Sequence, residues 1–226
     1  MAVVFLISPA SCAGSRARTL LASKSSALKQ DLEHDGVPLG QLFTYLSSLY
    51  FRGKLAYATC FGAPPAGWPP GVVIAPGRGL VSPEARIRFD DFRAMAGVPV
   101  DPAEPRYREP LVRDARALER ALPPRGLAVL LGSVATDKYV TPLLEVFAER
   151  LHFPATFVGR GDMSRGGLLL RAAAAGTPLE YVPVQGAVRH GSRPPRLDRL
   201  RRTPTGNALR PALIETHRAR AEPRDQ

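Results

Sequence analysis

The stretch F-P-A-T-F-V-G-R-G-D-M-S-R-G-G-L-L-L-R, Phe153 to Arg171, reads as strand, loop and helix. Ala155 to Val158 is short, apolar and rich in β-formers, which predicts a buried strand. Gly159 and Gly161 let the backbone turn sharply. Asp162 or Ser164 then offers a cap for a helix running through Leu168 to Arg171. The loop places Arg160, Gly161, Asp162, Ser164 and Arg165 around a helix N-terminus, whose free N–H groups and dipole attract anions. A capped turn with solvated charges accounts for the same residues.

The same alternation continues on either side. Val3 to Ile7, Val72 to Ala75 and Leu127 to Leu131 are continuous apolar runs, as expected of strands buried on both faces. Between them lie amphipathic segments: Ser15 to about Glu33, Pro38 to Tyr50, a short helix after Gly53, Phe89 to Met95, Leu111 to Leu122 and Asp137 to Leu151, the last capped by Thr136. Leu179 to Val184 reads as a final strand. Gly97 to Pro110 carries four prolines and no periodicity, so it reads as a long loop of the kind that is functional or disordered. Strands alternating with helices predict a three-layer α/β/α fold with a mostly parallel central sheet.

At 226 residues the chain suits one α/β domain, residues 1–188, with a tail from 189 to 226. In the tail, R-H-G-S-R-P-P-R-L-D-R-L-R-R is basic and proline-broken. Arg193, Arg196, Arg199, Arg201 and Arg202 are its candidate nucleic-acid contacts, adding phosphate affinity without sequence specificity; a solvated terminus without a partner is the competing reading. The net charge of +11 favours a polyanionic partner, either nucleic acid or a phosphate-bearing small molecule. Enrichment in arginine, alanine and proline is also what a GC-rich genome produces. No apolar run approaches the roughly 20 residues of a membrane span, and Met1 to Ala10 lacks the basic start of a signal, so no membrane partner is expected. Cys12 and Cys60 form no disulfide framework, which suits a cytoplasmic protein with free thiols. No cofactor and no metal is expected from the spacing of the four histidines.

In open α/β sheets, ligands bind at the carboxyl ends of the strands. Here those ends carry Ser8, Cys12 and Arg16 after the first strand and Arg78 and Gly79 after the second. Asp137 and Lys138 follow the third strand, and Arg160 to Arg165 the fourth. Each loop joins small residues to a hydroxyl or a cation, a combination that suits an anion of nucleotide type. Asp137 and Asp162 are the carboxylates placed to act as a general base or to orient water, with helix capping as the alternative. Cys12, near a helix N-terminus, is either a thiol of lowered pKa or a buried inert one.

Ile7 to Ala10, I-S-P-A, resembles the S-P-A start of the bacterial peroxide-stress protein family, whose members are reported to bind DNA. L-Y-F-R-G-K-L-A-Y-A (Leu49 to Ala58) and V-V-I-A-P-G-R-G-L-V-S-P-E-A-R-I-R-F-D-D-F (Val72 to Phe92) resemble a related uncharacterised bacterial domain family, with Tyr50, Gly53, Ala56, Gly79, Leu80, Pro83, Ile87 and Phe89 on its pattern. That group is similar to the uracil-DNA-glycosylase-like α/β fold. The chain departs from the pattern where S-P-A continues as S-C-A instead of K-T-L, where Phe89 replaces the usual tyrosine, and in lacking the glycosylases' catalytic motifs. The resemblance implies the fold and an involvement with nucleic acid or nucleosides. Two functions follow as expectations. One is an enzyme acting on a base, nucleoside or nucleotide, with the glycosidic bond as a candidate target, in a crevice at the strand ends. The other is a non-catalytic DNA- or RNA-binding protein using rim arginines and the tail.

Overall fold

The computed structural model describes residues 1–23, 25–195 and 197. In chain order the elements are β1 (Val3–Ile7), α1 (Ser15–Ala22), α2 (Ala27–His34), β2 (Val37–Pro38), α3 (Leu39–Ser47), α4 (Leu49–Phe61), β3 (Gly71–Ala75), β4 (Gly79–Val81), β5 (Arg86–Ile87), α5 (Phe89–Ala96), α6 (Pro105–Ala121), β6 (Leu127–Leu131), α7 (Asp137–Phe147), β7 (Leu151–Pro154), α8 (Asp162–Ala175) and β8 (Tyr181–Pro183).

Six strands form the central sheet in the order β4-β3-β1-β6-β7-β8. The inner four, β3, β1, β6 and β7, are parallel. The edges, β4 and β8, are antiparallel additions. β1 sits at the centre, and all five of its residues are buried, which is why its sequence is an unbroken apolar run. Helices cover both faces, giving three layers: α4 packs on α8, β1 and β3, while α6 packs on α7 and α7 on β7. β2 and β5 form a separate two-stranded antiparallel ribbon. Among the described residues no helix is long and apolar enough to cross a membrane.

Several boundaries differ from the sequence reading. The fourth strand is Leu151–Pro154, and Ala155–Phe157, read as strand, is a 3-10 turn. Its register is set by pairing with β6 on one side and β8 on the other, and the chain leaves the sheet after Pro154. Helix α7 accordingly stops at Phe147, and one 3-10 turn links it to β7. The long helix expected from Ser15 is two helices. Around the break between α1 and α2, the Ser26 backbone N–H donates to Ser23 Oγ at 3.1 Å, the local competition through which serine interrupts helices. The proline-rich loop is shorter than expected, because α6 begins at Pro105, capped by the Glu104 side chain, and carries Pro110 within it. The N-cap of α8 is Gly161, and neither Asp162 nor Ser164 makes a side-chain cap. Tail residues Arg196, Arg199, Arg201 and Arg202 lie outside the described residues; Arg193 is exposed.

Candidate functional site

The strand order places a crevice by topology. From β1 the chain winds outward to β3 on one side, then returns to β6 on the other. The loops leaving β1 and β6 therefore diverge at the carboxyl edge, where doubly wound sheets hold their ligands. A cavity of about 620 Å³ opens there, within the roughly 300–1,000 Å³ range of small-molecule sites. The loop from Ser8 to Ala13 forms one wall and Ser133, Lys138 and Tyr139 another. Tyr50 and Asp162 come from α4 and α8, and the segment Met95 to Val100 closes the apolar side. The proline-rich loop thus contributes its first residues to the cavity.

Under this floor lies the feature that strand-end reasoning missed. Lys54 on α4 is 1% exposed. Its Nζ donates to the Ser8 carbonyl oxygen at 2.6 Å and to Ser8 Oγ at 3.0 Å. It also lies over the Tyr50 ring, 4.4 Å from the centroid, and over the Phe51 ring, 4.9 Å away. No carboxylate among the described residues pairs with it. Burial drives its pKa down to about 7; Asp162 opposes that shift and Arg165 adds to it. One signal was present in the sequence: Tyr50, Lys54, Tyr57 and Ala58 fall on one helical stripe, and all four are buried, so the lysine occupies an apolar position.

Arg165 on α8 is a second buried cation, 5% exposed. Its Nε and Nη2 donate to the Phe157 carbonyl at 3.3 and 3.2 Å, and Nη1 stands 3.5 Å from Asp162 Oδ1. The buried Tyr50 hydroxyl has no hydrogen-bond partner within normal geometry among the described residues. Burial raises its pKa, and the nearby Arg165 guanidinium works against that rise. Tyr139 is pushed up to about 12 by burial and by Asp162.

The cavity brings together four of the residues expected at the strand ends: Ser8, Cys12, Lys138 and Asp162. The other candidates are engaged elsewhere. Arg78 pairs with Asp91 at 2.7 Å. Arg16 donates to the Tyr45 carbonyl at 3.2 Å. Arg160 donates to Thr156 O, Ser164 Oγ and Pro195 O. Asp137 pairs with Arg189 at 3.0 Å. Gly79 turns the chain with φ +80° and abuts Asp114 and Pro110 of α6, where a Cβ would sit 2.1 Å from Asp114 Oδ2. Gly161 has open space around it. Asp162 is the remaining candidate acid at the cavity, and its side chain is 69% exposed.

Of the two readings of Cys12, the buried inert thiol is the one that fits. Its Sγ is buried, donates to Ala10 O at 3.8 Å, and burial pushes its pKa up to about 12. Cys60 is exposed. Ellman titration of the native chain is therefore expected to report one fast thiol, and two after denaturation. Two fast thiols in the native state would contradict the burial of Cys12.

The chain is a three-layer α/β protein with a cavity at the reversal of strand winding. Comparison with protein-family models, with curated proteins and with solved structures finds no match.

Proposed function

We propose that the cavity binds a phosphate-bearing small molecule of the nucleoside or nucleotide class and that the protein is an enzyme acting on it. The observation that carries this reading is the charge around the cavity. Lys138 lines it, Arg165 lies buried behind its wall, and Asp162 is its only lining acid among the described residues. An anion gains from such a surround, while Tyr50, Tyr139 and the Met95 to Val100 segment offer apolar surface to a flat ring. Asp162 is placed to orient a water or a sugar hydroxyl. The alternative, nucleic-acid binding through rim arginines, has less support, because Arg16, Arg78 and Arg160 are already held by protein oxygens.

Calorimetric titration of the full chain with a nucleoside monophosphate is expected to show saturable one-to-one binding. Lys138→Ala removes an exposed cation and should weaken that binding roughly tenfold, the loss of one charge-assisted hydrogen bond, with Tm unchanged. Binding to duplex DNA alone, governed by salt and blind to free nucleotide, would overturn the proposal.

A further inference from the structure

We infer that Ser8 and Lys54 form a nucleophile and base pair: Ser8 Oγ attacks the phosphorus of a phosphate ester held in the cavity, and Lys54 Nζ takes its proton. This deepens the nucleotide reading and rests on it for the substrate class. The bond attacked is then a phosphate ester and not the glycosidic bond.

The geometry supplies what such a pair requires. Ser8 is the first residue beyond β1 and lines the cavity at the reversal of winding. Its backbone N–H is fixed by the Leu131 carbonyl at 3.2 Å. Gly132 leaves room beside it, since a Cβ there would stand 2.9 Å from Ser8 Cβ and 3.2 Å from Oγ. Lys54 Nζ lies 3.0 Å from Ser8 Oγ on the side away from solvent, within reach for direct proton transfer.

As a neutral amine, Lys54 keeps one N–H on the Ser8 carbonyl and turns its lone pair to the Ser8 hydroxyl. The polar and titratable groups around it are Ser8 from the loop after β1, Tyr50 from α4, and Asp162 and Arg165 from α8. Burial lowers its pKa to about 7, so a large fraction is neutral at physiological pH. A lysine serving only as a pin between α4 and β1 gains nothing from that. An ammonium in an apolar site without a carboxylate in direct contact is costly to bury, and a neutral donor would hold the Ser8 carbonyl at less cost.

The step balances. The Oγ–P bond forms, the bond from phosphorus to the leaving oxygen breaks, and the serine proton passes through Lys54 to that oxygen. Water then attacks phosphorus and gives its proton to Lys54. The Oγ–P bond breaks, and Ser8 recovers the proton. The net reaction is hydrolysis of the ester, with no redox change.

A fluorophosphonate probe tests the pair directly, because the same attack displaces fluoride and leaves a stable adduct. The folded full chain is expected to be labelled at Ser8, as located by peptide mass spectrometry. The rate should rise with pH to a plateau, with its midpoint near 7. Ser8→Ala should abolish labelling, and Lys54→Met should lower the rate roughly 100-fold, the usual contribution of a general base. Lys54→Arg, which keeps a donor but cannot become a base at these pH values, should be equally slow; labelling of this variant at the wild-type rate would reduce Lys54 to a positioning residue and overturn the inference. The wild-type pH profile needs no variant to fold. Absence of Ser8 labelling between pH 6 and 10, or a pH-independent rate, also overturns it. Calorimetry of Ser8→Ala with a nucleoside monophosphate separates the two readings. Retained binding without wild-type labelling sinks the nucleophile alone, whereas labelling without nucleotide binding sinks the substrate class alone.

Discussion

Gly166→Val is expected to lower the stability of the protein by about 3 kcal/mol, the upper part of the usual range for overpacking a close contact. For a chain of this size that corresponds to a fall in Tm of roughly 6–12 °C. Helices α4 and α8 cross through two glycines. A Cβ on Gly166 would lie 2.8 Å from Tyr50 Cα and 3.0 Å from its backbone N, and a Cβ on Gly53 would lie 2.8 Å from the Gly166 carbonyl oxygen. These are backbone atoms of a second helix and cannot rotate aside. The helices must separate, which exposes apolar surface along the whole crossing. The neighbouring Gly167 is the control: among the described residues a Cβ there meets only Leu197 Cδ1, at 3.5 Å. Gly167→Ala should be neutral or stabilising by up to about 1 kcal/mol, through helix propensity. Thermal unfolding followed by circular dichroism measures both. A Gly166→Val variant within about 0.5 kcal/mol of the parent, the ordinary scatter of surface substitutions, would show that the crossing tolerates separation. The contact also matters beyond stability. α4 carries Tyr50 and Lys54 while α8 carries Asp162 and Arg165, so the Gly53–Gly166 approach sets the spacing of the cavity floor.

The sequence made some of this architecture legible and concealed the rest for physical reasons. Val3–Ile7 and Leu127–Leu131 have the bounds expected from their apolar runs, because strands covered by helices on both faces cannot afford polar interruptions. β7 escaped because L-H-F-P contains a histidine and ends in proline, whereas the more strand-like Ala155 to Val158 coils into a 3-10 turn as the chain leaves the sheet after Pro154. Ser8, Lys138 and Asp162 were accessible to sequence reasoning, since a parallel sheet brings successive strand ends to one edge. Lys54 was legible only as a lysine on an apolar helical stripe; its lowered basicity comes from packing. It is an ordinary lysine on a helix until α4 settles beneath β1 and removes its water. Arg78 and Arg16 show the converse. They occur at strand ends in a pattern that suggests a ligand, yet Asp91 and the Tyr45 carbonyl, distant in sequence, already occupy them.

Lys54→Met is expected to change the pH dependence of stability more than its level at any one pH. In the unfolded chain Lys54 titrates at 10.5; in the folded protein burial lowers that to about 7. A base with a depressed folded pKa opposes folding wherever the unfolded chain holds the extra proton. Above pH 10.5 the lysine is neutral in both states and adds no such penalty. As pH falls from 10.5 to 7, the penalty grows, because folding must strip the proton from the amine. Below 7 it is constant, since the folded protein is then protonated too. The full difference of 10.5 − 7 = 3.5 pH units corresponds to about 5 kcal/mol at 1.36 kcal/mol per unit. Methionine fills similar volume without a charge but leaves the Ser8 carbonyl without its donor, a loss of roughly 1–3 kcal/mol at every pH. The variant should therefore be more stable than the parent at pH 6 to 7 and lose that advantage as pH approaches 10. Raised tyrosine pKa values, as at Tyr107 and Tyr181, affect both proteins alike and cancel in the comparison. Urea unfolding of parent and variant at pH 6, 8 and 10 measures the difference. A constant offset across that range would mean that Lys54 titrates normally in the folded protein, and the neutral amine required for proton abstraction from Ser8 would then not exist at physiological pH.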